Sequence, residues 1–173
     1  MSGLDYARSE IEILNLIKSF EGLHDGDLKQ IGLQPKMDPI GIWTEGYGRA
    51  MRNDAGKFIK GEANKKLAYS RITIKTELDA VKALASDLNI YERIVLNKVK
   101  VTLTQNQFDA LVSYTYNTGG SQTLFNLINK KADSQSIRNW METKYTTAGG
   151  KKLAGLVRRR KAEAELFFKA LWK

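Results

Sequence analysis

The chain has 173 residues, 42% of them hydrophobic and 27% charged, which is enough apolar content for one packed domain. It has no cysteine and a single histidine, which excludes a zinc site with several such ligands and a cysteine–histidine nucleophile pair; no metal and no cofactor is expected. The formal net charge of +9 favours contact with polyanions such as nucleic acid, anionic lipid or a bacterial envelope.

The first half of the chain predicts a helix, a small β element and a second helix. Apolar spacing indicates a helix over 5–21 with a glycine stop at Gly22. Residues 39–61 predict a hairpin around a turn at 53–56. A capping box at Thr76 and Asp79 then predicts a helix from 76 to about 99, with a break near Asn89.

The second half predicts helices only. A capping box at Thr104 and Gln107 indicates a helix that ends at 119–120, followed by helices near 121–130, 134–143 and 156–172. These elements predict an α+β, predominantly helical domain with two lobes. The expected parts are a small lobe (about 12–75), a connecting helix (about 76–99) and a helical lobe (about 100–173) packed with the N-terminal helix.

No export or membrane signal is apparent. The first ten residues lack the basic flank and apolar stretch of a secretory signal, and no apolar run is long enough to span a bilayer. We therefore expect synthesis in the cytoplasm without membrane insertion, so that action beyond it requires another protein.

Glu21 closes the first predicted helix beside Phe20 and Leu23. The negative end of the helix dipole and the apolar neighbours both favour a protonated carboxyl group, which a general acid requires. On position alone, an ordinary solvated glutamate is the alternative.

A glycine-rich turn follows, with Asp38 and Thr44 on it. An acid that faces an aspartate and a threonine would form a hydrolytic site, in which one carboxyl group protonates the leaving oxygen and the other two groups hold a water. The alternatives are that Asp38 opens a turn as Asp-Pro and that Thr44 is an ordinary strand residue.

Three segments together resemble one family. The pattern E-G-…-D-x-x-G-x-W-T-x-G-Y-G, with LTQNQFDALVSYTYNTGGS (103–121) and GGKKLAGLVRRRKAEAELF (149–167), resembles the lysozymes and endolysins of tailed bacteriophages, glycoside hydrolase family 24. The resemblance runs from about residue 11 to 168. It implies a single lysozyme-like catalytic domain and a muramidase, which cleaves the β-1,4 bond between N-acetylmuramic acid and N-acetylglucosamine in peptidoglycan.

The resemblance also assigns the central site residues. It implies that Glu21 is the general acid, Asp38 the carboxylate that orients or activates water, and Thr44 the third member. Trp43 and Gly48 belong to the turn beneath them. Retention of both Asp38 and Thr44 favours hydrolysis, with inversion at the sugar, over a lytic transglycosylase, which needs only the acid.

The remaining assignments concern the helical lobe and the partners. Asn117 matches a position expected to contact the sugar, and Arg158 a basic residue that pairs with the catalytic glutamate. The implied protein is a monomer that binds peptidoglycan and no nucleic acid. It would lyse the host cell after a separate holin-like membrane protein releases it from the bacterial cytoplasm to the cell wall.

The chain departs from the family's pattern by an insertion. Sixteen residues (22–37) separate Glu21 from Asp38, about twice the usual number. The stretch HDGDLKQI (24–31) is interpreted as the insertion and brings Asp25 and Asp27. Either could take the second-carboxylate role, although the distance of Asp38 from the turn favours Asp38. His24 also lies in this insertion and is expected to be solvated.

Two residues of the turn differ from the family as well. Glu45 adds a carboxylate, which strand alternation should point away from Thr44 into a structural role. Arg49 stands where the family has a histidine and would pair with Asp87; a solvent-exposed arginine is the alternative.

The arginine run 158–160 raises a different possibility, a basic module that binds cell wall or nucleic acid without catalysis. No recognised nucleic-acid-binding pattern accompanies the run. We therefore expect it to form the solvated face of a terminal helix.

Overall fold

The structure is a computed structural model that describes residues 11–169. Residues 5–10 of the predicted first helix and 170–172 of the predicted last helix lie outside this range. Within it, the helices are α1 (Ile11–Glu21), α2 (Lys65–Ser70), α3 (Glu77–Lys98), α4 (Gln105–Thr118), α5 (Gln122–Asn129), α6 (Ser134–Thr143) and α7 (Ala154–Phe168). The strands are β1 (Lys36–Met37), β2 (Trp43–Glu45), β3 (Arg49–Ala50), β4 (Thr147–Ala148) and β5 (Lys151–Lys152). The predicted α+β, mainly helical class is confirmed.

The chain divides into two compact units. Glu21–Asp87 forms one, called the small unit below, and 11–20 with 88–169 forms the described part of the other, the helical unit. Among residues 11–169, no helix is both long and apolar enough to cross a bilayer.

The small unit is built on a three-stranded antiparallel sheet in the order β1-β2-β3. Thr44 is the residue of β2 that pairs with Lys36 on one side and Ala50 on the other. The chain then turns at 53–56, where the Gly56 N–H donates to the Asn53 carbonyl oxygen at 2.9 Å, so the predicted turn is confirmed. A small apolar core lies under the sheet, formed by Trp43, Met51, Ile59 and Ala68.

Helix α3 begins with the predicted capping box. The Asp79 N–H donates to Thr76 Oγ1 and the Thr76 N–H donates to Asp79 Oδ2, both at 3.1 Å. The predicted break near Asn89 is wrong, because α3 runs unbroken over 22 residues. Asn89 is exposed, and the small helix-propensity cost of an asparagine is outweighed by the buried stripe Ala80, Leu84, Leu88 and Val95.

The helical unit follows the predicted helices closely. The capping box at Thr104 and Gln107 is complete, and Gly119 ends α4 in the left-handed conformation at φ 82°. Helix α4 packs against α7, and α7 against α6. The hairpin β4–β5 of this unit was not predicted, and its two-residue turn Gly149-Gly150 has positive φ at both glycines. In the small unit, strand β1, the 3-10 helix Glu62–Asn64 and the short helix α2 were not predicted either.

Candidate active site

Glu21, the last residue of α1, is half-buried and lies against the turn between β2 and β3. A side-chain carbon built on Gly48 would stand 2.7 Å from Glu21 Oε2, well inside contact distance. Gly48 also has φ +87°, which favours glycine. The absence of a side chain at Gly48 therefore makes room for the Glu21 carboxyl group.

Asp38 organises the turn between β1 and β2. Its Oδ1 accepts hydrogen bonds from the N–H groups of Ile40 (2.9 Å) and Ile42 (2.8 Å), and its own N–H donates to the Ile42 carbonyl oxygen at 2.8 Å. Within residues 11–169, no donor reaches Asp38 Oδ2. Asp38 therefore opens the turn, which was the alternative to a catalytic role, and its second oxygen is still available to a ligand.

Thr44 is buried in the middle of the sheet, and its hydroxyl group has two protein partners. It donates to the Lys36 carbonyl oxygen at 2.8 Å, and its Oγ1 lies 2.7 Å from Nδ1 of His24. The expectation that His24 is solvated is therefore wrong. The His24 N–H donates to the Gly46 carbonyl oxygen at 2.8 Å, and this bridge to the sheet carries the half-buried ring onto Thr44.

The His24 ring lies in the electrostatic field of the candidate carboxylates. Burial lowers the pKa of His24 below its usual value, while the Glu21 and Asp38 carboxylates raise it and Lys36 lowers it further. Because burial is the largest of these effects, the uncharged ring is favoured at neutral pH.

The competing acids of the insertion are engaged in its own turns. Asp27 accepts from the Lys29 N–H (Oδ1, 3.0 Å) and from the Gln30 side chain (Oδ2, 2.9 Å). Asp25 Oδ1 accepts from the Asp27 N–H at 3.3 Å. In the described part of the chain, no hydrogen bond joins either acid to Thr44. Hydrogen bonds to Thr44 do not separate these acids from Asp38, which has none either, so the second-carboxylate role of Asp38 stays a prediction.

The two unusual residues of the turn adopt the predicted roles. Glu45 is buried and accepts hydrogen bonds from Thr73 (N–H 2.9 Å, hydroxyl 2.6 Å) and from the Ile74 N–H at 3.0 Å, so its structural role is confirmed. Arg49 donates to both oxygens of Asp87 at 2.9 Å, which confirms that pair. Both side chains of the pair are about one-third exposed (36% and 32%).

Trp43 supports the site from beneath. Its side chain is 4% exposed, and its indole N–H donates to the Gly61 carbonyl oxygen at 2.8 Å. Its ring meets that of Tyr69 edge-on, with centroids 6.1 Å apart. Because the ring is buried, Trp43 holds β2 in place and offers no stacking surface to a ligand.

The remaining predicted residues belong to the helical unit. Asn117, exposed near the end of α4, accepts a hydrogen bond at Oδ1 from Nη2 of the buried Arg160 at 2.8 Å. Arg158 is exposed. The sugar contact of Asn117 and the pairing of Arg158 with Glu21 stay predictions.

The expected solvated face of the arginine run is wrong for two of its three members. Arg159 and Arg160 are buried (3% and 0% exposed) and both contact Glu163, which is buried as well. Arg159 Nε donates to Glu163 Oε1 at 3.1 Å, Arg160 Nε lies 3.0 Å from Oε2, and the Ser113 hydroxyl donates to Oε1 at 2.7 Å. Burial raises the pKa of Glu163, and the two guanidinium groups oppose that rise.

Roles for Glu163 and Ser113 were not predicted from the sequence. A signal was present, since a glutamate three and four residues after two arginines lies on the same helix face. Helix α7 turns that face towards α4, where Ser113 lies. Among residues 11–169, no cluster of histidine, aspartate and glutamate side chains could hold a metal ion.

Known proteins match both units. A family model described as phage lysozyme matches residues 18–163. The endolysin of Bacillus phage B103 is 32% identical over 158 residues, which cover 89% of this chain and 51% of that protein, so the chain spans about half the length of this relative. Of solved structures, the endolysin from Escherichia coli O157:H7 phage FAHEc1 has a TM-score of 0.68 at 30% identity and 96% coverage of both chains. The muramidase domain of SpmX from Asticaccaulis excentricus has a TM-score of 0.66 at 29% identity, covering 94% of this chain and 99% of that domain.

Proposed function

Because the chain belongs to the phage lysozyme family, we propose that it is a muramidase that hydrolyses the β-1,4 bond between N-acetylmuramic acid and N-acetylglucosamine in bacterial peptidoglycan. The observation that carries the proposal is the arrangement in the small unit. Glu21 lies against Gly48, Asp38 keeps Oδ2 available, and Thr44 lies beside His24, whose pKa responds to both carboxylates.

The proposed chemistry needs no group beyond these side chains. Glu21 donates a proton to the glycosidic oxygen as the bond to the sugar breaks. Asp38 Oδ2 and the Thr44 hydroxyl group hold the water that attacks the sugar carbon, and Asp38 takes up a proton from that water. The two backbone hydrogen bonds to Asp38 Oδ1 fix the carboxylate, so its free oxygen keeps one orientation.

We propose that the reaction inverts the anomeric centre. A water between carboxylate and sugar implies that the two carboxyl groups stand about 6.5–9.5 Å apart, against about 5–5.5 Å when the carboxylate attacks directly. The β-linked substrate should then release a reducing end that is first α. Anomeric proton NMR within the first minutes of reaction measures this, and an initial β product would contradict inversion and leave the muramidase proposal standing.

The test of the activity itself is product analysis on purified peptidoglycan by mass spectrometry. A muramidase releases fragments with reducing N-acetylmuramic acid ends. Release of 1,6-anhydro ends would instead identify a lytic transglycosylase, and no release with retained cell-wall binding would identify a non-catalytic module. Glu21→Gln is the matched control, since it preserves the side chain's shape and removes its acidity.

The biological role we propose is lysis of a bacterial host by a phage, with peptidoglycan as the binding partner. We further propose that the protein is a monomer and reaches the cell wall from the cytoplasm with the help of a holin-like membrane protein. Size-exclusion chromatography tests whether the protein is a monomer. Lysis of cells that express the chain with and without a membrane-permeabilising protein tests whether it needs such a protein to reach the cell wall.

A further inference from the structure

We propose that His24 is a positioning residue that holds the Thr44 hydroxyl group as a hydrogen-bond acceptor towards the hydrolytic water. The inference rests on the proposed function and assigns a role to the inserted stretch of residues 24–31. It starts from the contact between His24 Nδ1 and Thr44 Oγ1, which are 2.7 Å apart.

The direction of this hydrogen bond follows from the other partner of Thr44. A carbonyl oxygen can only accept, so the hydroxyl proton of Thr44 is committed to the Lys36 carbonyl oxygen at 2.8 Å. A hydroxyl group has one proton and two lone pairs. Nδ1 of His24 must therefore carry the proton and donate to one lone pair of Thr44 Oγ1. The described residues supply no second donor to Oγ1, so its other lone pair is open.

That open lone pair is a hydrogen-bond acceptor, which is what the attacking water needs. A water attacking the sugar must direct one of its own lone pairs at the carbon, so its two O–H groups need acceptors. Asp38 Oδ2 is one acceptor, and the second lone pair of Thr44 Oγ1 is the other. A hydroxyl group that instead donated to the water would leave one of the water's O–H groups without this acceptor. When the carbon–oxygen bond forms, the water proton on Asp38 moves to that carboxylate, and the proton of Glu21 leaves with the departing sugar oxygen.

The position of the ring is built into the fold of the small unit. The main-chain N–H of His24 donates a hydrogen bond to the Gly46 carbonyl oxygen at 2.8 Å. This bond holds the ring of His24 next to the strand that carries Thr44. The insertion is closed behind it by the hydrogen bonds from Gly26 N–H to the Gln34 carbonyl oxygen (3.0 Å) and from Leu33 N–H to the Lys75 carbonyl oxygen (2.9 Å).

The charged groups that act on the ring are Glu21, Asp38 and Lys36. Burial holds the pKa of His24 below its usual value, so the ring is uncharged at neutral pH with its proton on Nδ1. Protonation in acid adds the second proton at Nε2 and leaves the donor to Thr44 in place. The hydrogen bond to Thr44 is therefore expected to survive the titration of His24.

The first experiment reads the ring directly and does not depend on activity. His24 is the only histidine of the chain, so tag-free protein with nitrogen-15-labelled histidine gives one pair of ring signals. We expect the uncharged ring to carry its proton on Nδ1, and Thr44→Val to shift the proton towards Nε2. A wild-type ring protonated at Nε2, or a tautomer that ignores Thr44→Val, would overturn the proposal.

The second experiment compares two replacements of similar size. His24→Asn can still donate to Thr44 and should retain kcat within about threefold, whereas His24→Leu should lose about tenfold or more, with little change in KM. In a Thr44→Val background, His24→Leu should have almost no further effect on kcat. Thermal unfolding identifies the temperature at which all variants are folded, and Lys29→Ala in the same insertion is the control.

Equal kcat losses for His24→Asn and His24→Leu, or additive losses with Thr44→Val, would show that His24 acts only through stability. If the wild-type protein has no activity on peptidoglycan, the proposed function fails. The NMR result then still decides whether His24 orients Thr44.

Discussion

The small unit and the helical unit use their carboxylates in opposite ways. In the small unit, Glu21 is half-buried, and one oxygen of Asp38 has no donor among the residues that the structure describes. In the helical unit, Glu163 is buried completely, and two arginines and a serine hydroxyl group surround it. A carboxylate that must exchange a proton with a substrate needs an open side, whereas a buried carboxylate must be paired to be tolerated.

The contrast extends to how each unit holds its polar groups. The sheet of the small unit places short turns around Asp38 and Gly48, where the main chain does the positioning. In the helical unit, side chains position one another: Arg160 joins Glu163 to Asn117, and its guanidinium group stacks 4.7 Å from the centroid of the Tyr114 ring. Substitutions should therefore affect mainly activity in the first unit and mainly stability in the second.

The largest effect is expected for Glu21→Gln. The amide cannot donate the proton that the leaving oxygen requires, so activity should fall about 10²–10⁴-fold while the protein stays folded. Release of soluble fragments from peptidoglycan measures the loss, and the unfolding midpoint is the control. Activity within a few-fold of wild type would transfer the acid role to another carboxylate such as Asp25.

Glu163→Gln tests the expectation that substitutions in the helical unit affect mainly stability. It removes the negative charge that contacts two buried guanidinium groups, and removing one partner of a buried pair costs about 3–5 kcal/mol of unfolding free energy. Urea denaturation measures this cost. The matched control is Arg158→Ala on the same helix, where an exposed side chain should change stability by no more than about 0.5 kcal/mol.

The control variant Arg158→Ala also tests a prediction that is still open. If Arg158 pairs with Glu21, its removal should move the alkaline limb of the pH–activity profile upward, because the ionised glutamate loses a cation. An unchanged alkaline limb would show that Arg158 does not pair with Glu21.

Asp38→Asn should reduce activity about a hundredfold or more, since the amide cannot accept the proton of the water. The asparagine keeps an oxygen for the Ile40 and Ile42 N–H groups, so the turn should persist. Initial rates on peptidoglycan, with Asp25→Asn and Asp27→Asn as controls, measure the difference. Losses of similar size in all three would show that the insertion supplies the second carboxylate.

The smallest effect concerns the pH dependence of stability. The pKa of His24 is lower in the folded state than in the unfolded chain, so the unfolded chain binds the proton first as the pH falls. The contribution of His24 to the free energy of unfolding is complete above its pKa in the unfolded chain, about 6.5, and is lost as the pH falls below that value. Denaturation at pH 7.5 and 5.5 should show a larger loss for wild type than for His24→Asn. Equal losses would contradict the lowered pKa.

Local patterns predicted much of the fold. The capping boxes at Thr76 and Thr104 and the glycine stop at Gly119 were confirmed, because a cap is made by residues three or four apart. The turn at 53–56 and the alternation that directs Glu45 away from Thr44 are equally local. The break near Asn89 was wrong because packing along α3 outweighs the propensity of one exposed residue.

The sequence by itself determined the class of fold and the positions of most helices, since these depend on periodicity and short motifs. Its resemblance to one family supplied the candidate groups Glu21, Asp38 and Thr44. Only the tertiary structure decided which side chains are buried and what they contact. His24 reaches Thr44 across 20 positions, and Ser113 reaches Glu163 across 50. The physical reason is that burial depends on the surface an element packs against, and neither the register of the insertion on the sheet nor the face that α7 turns to α4 is encoded within a local window.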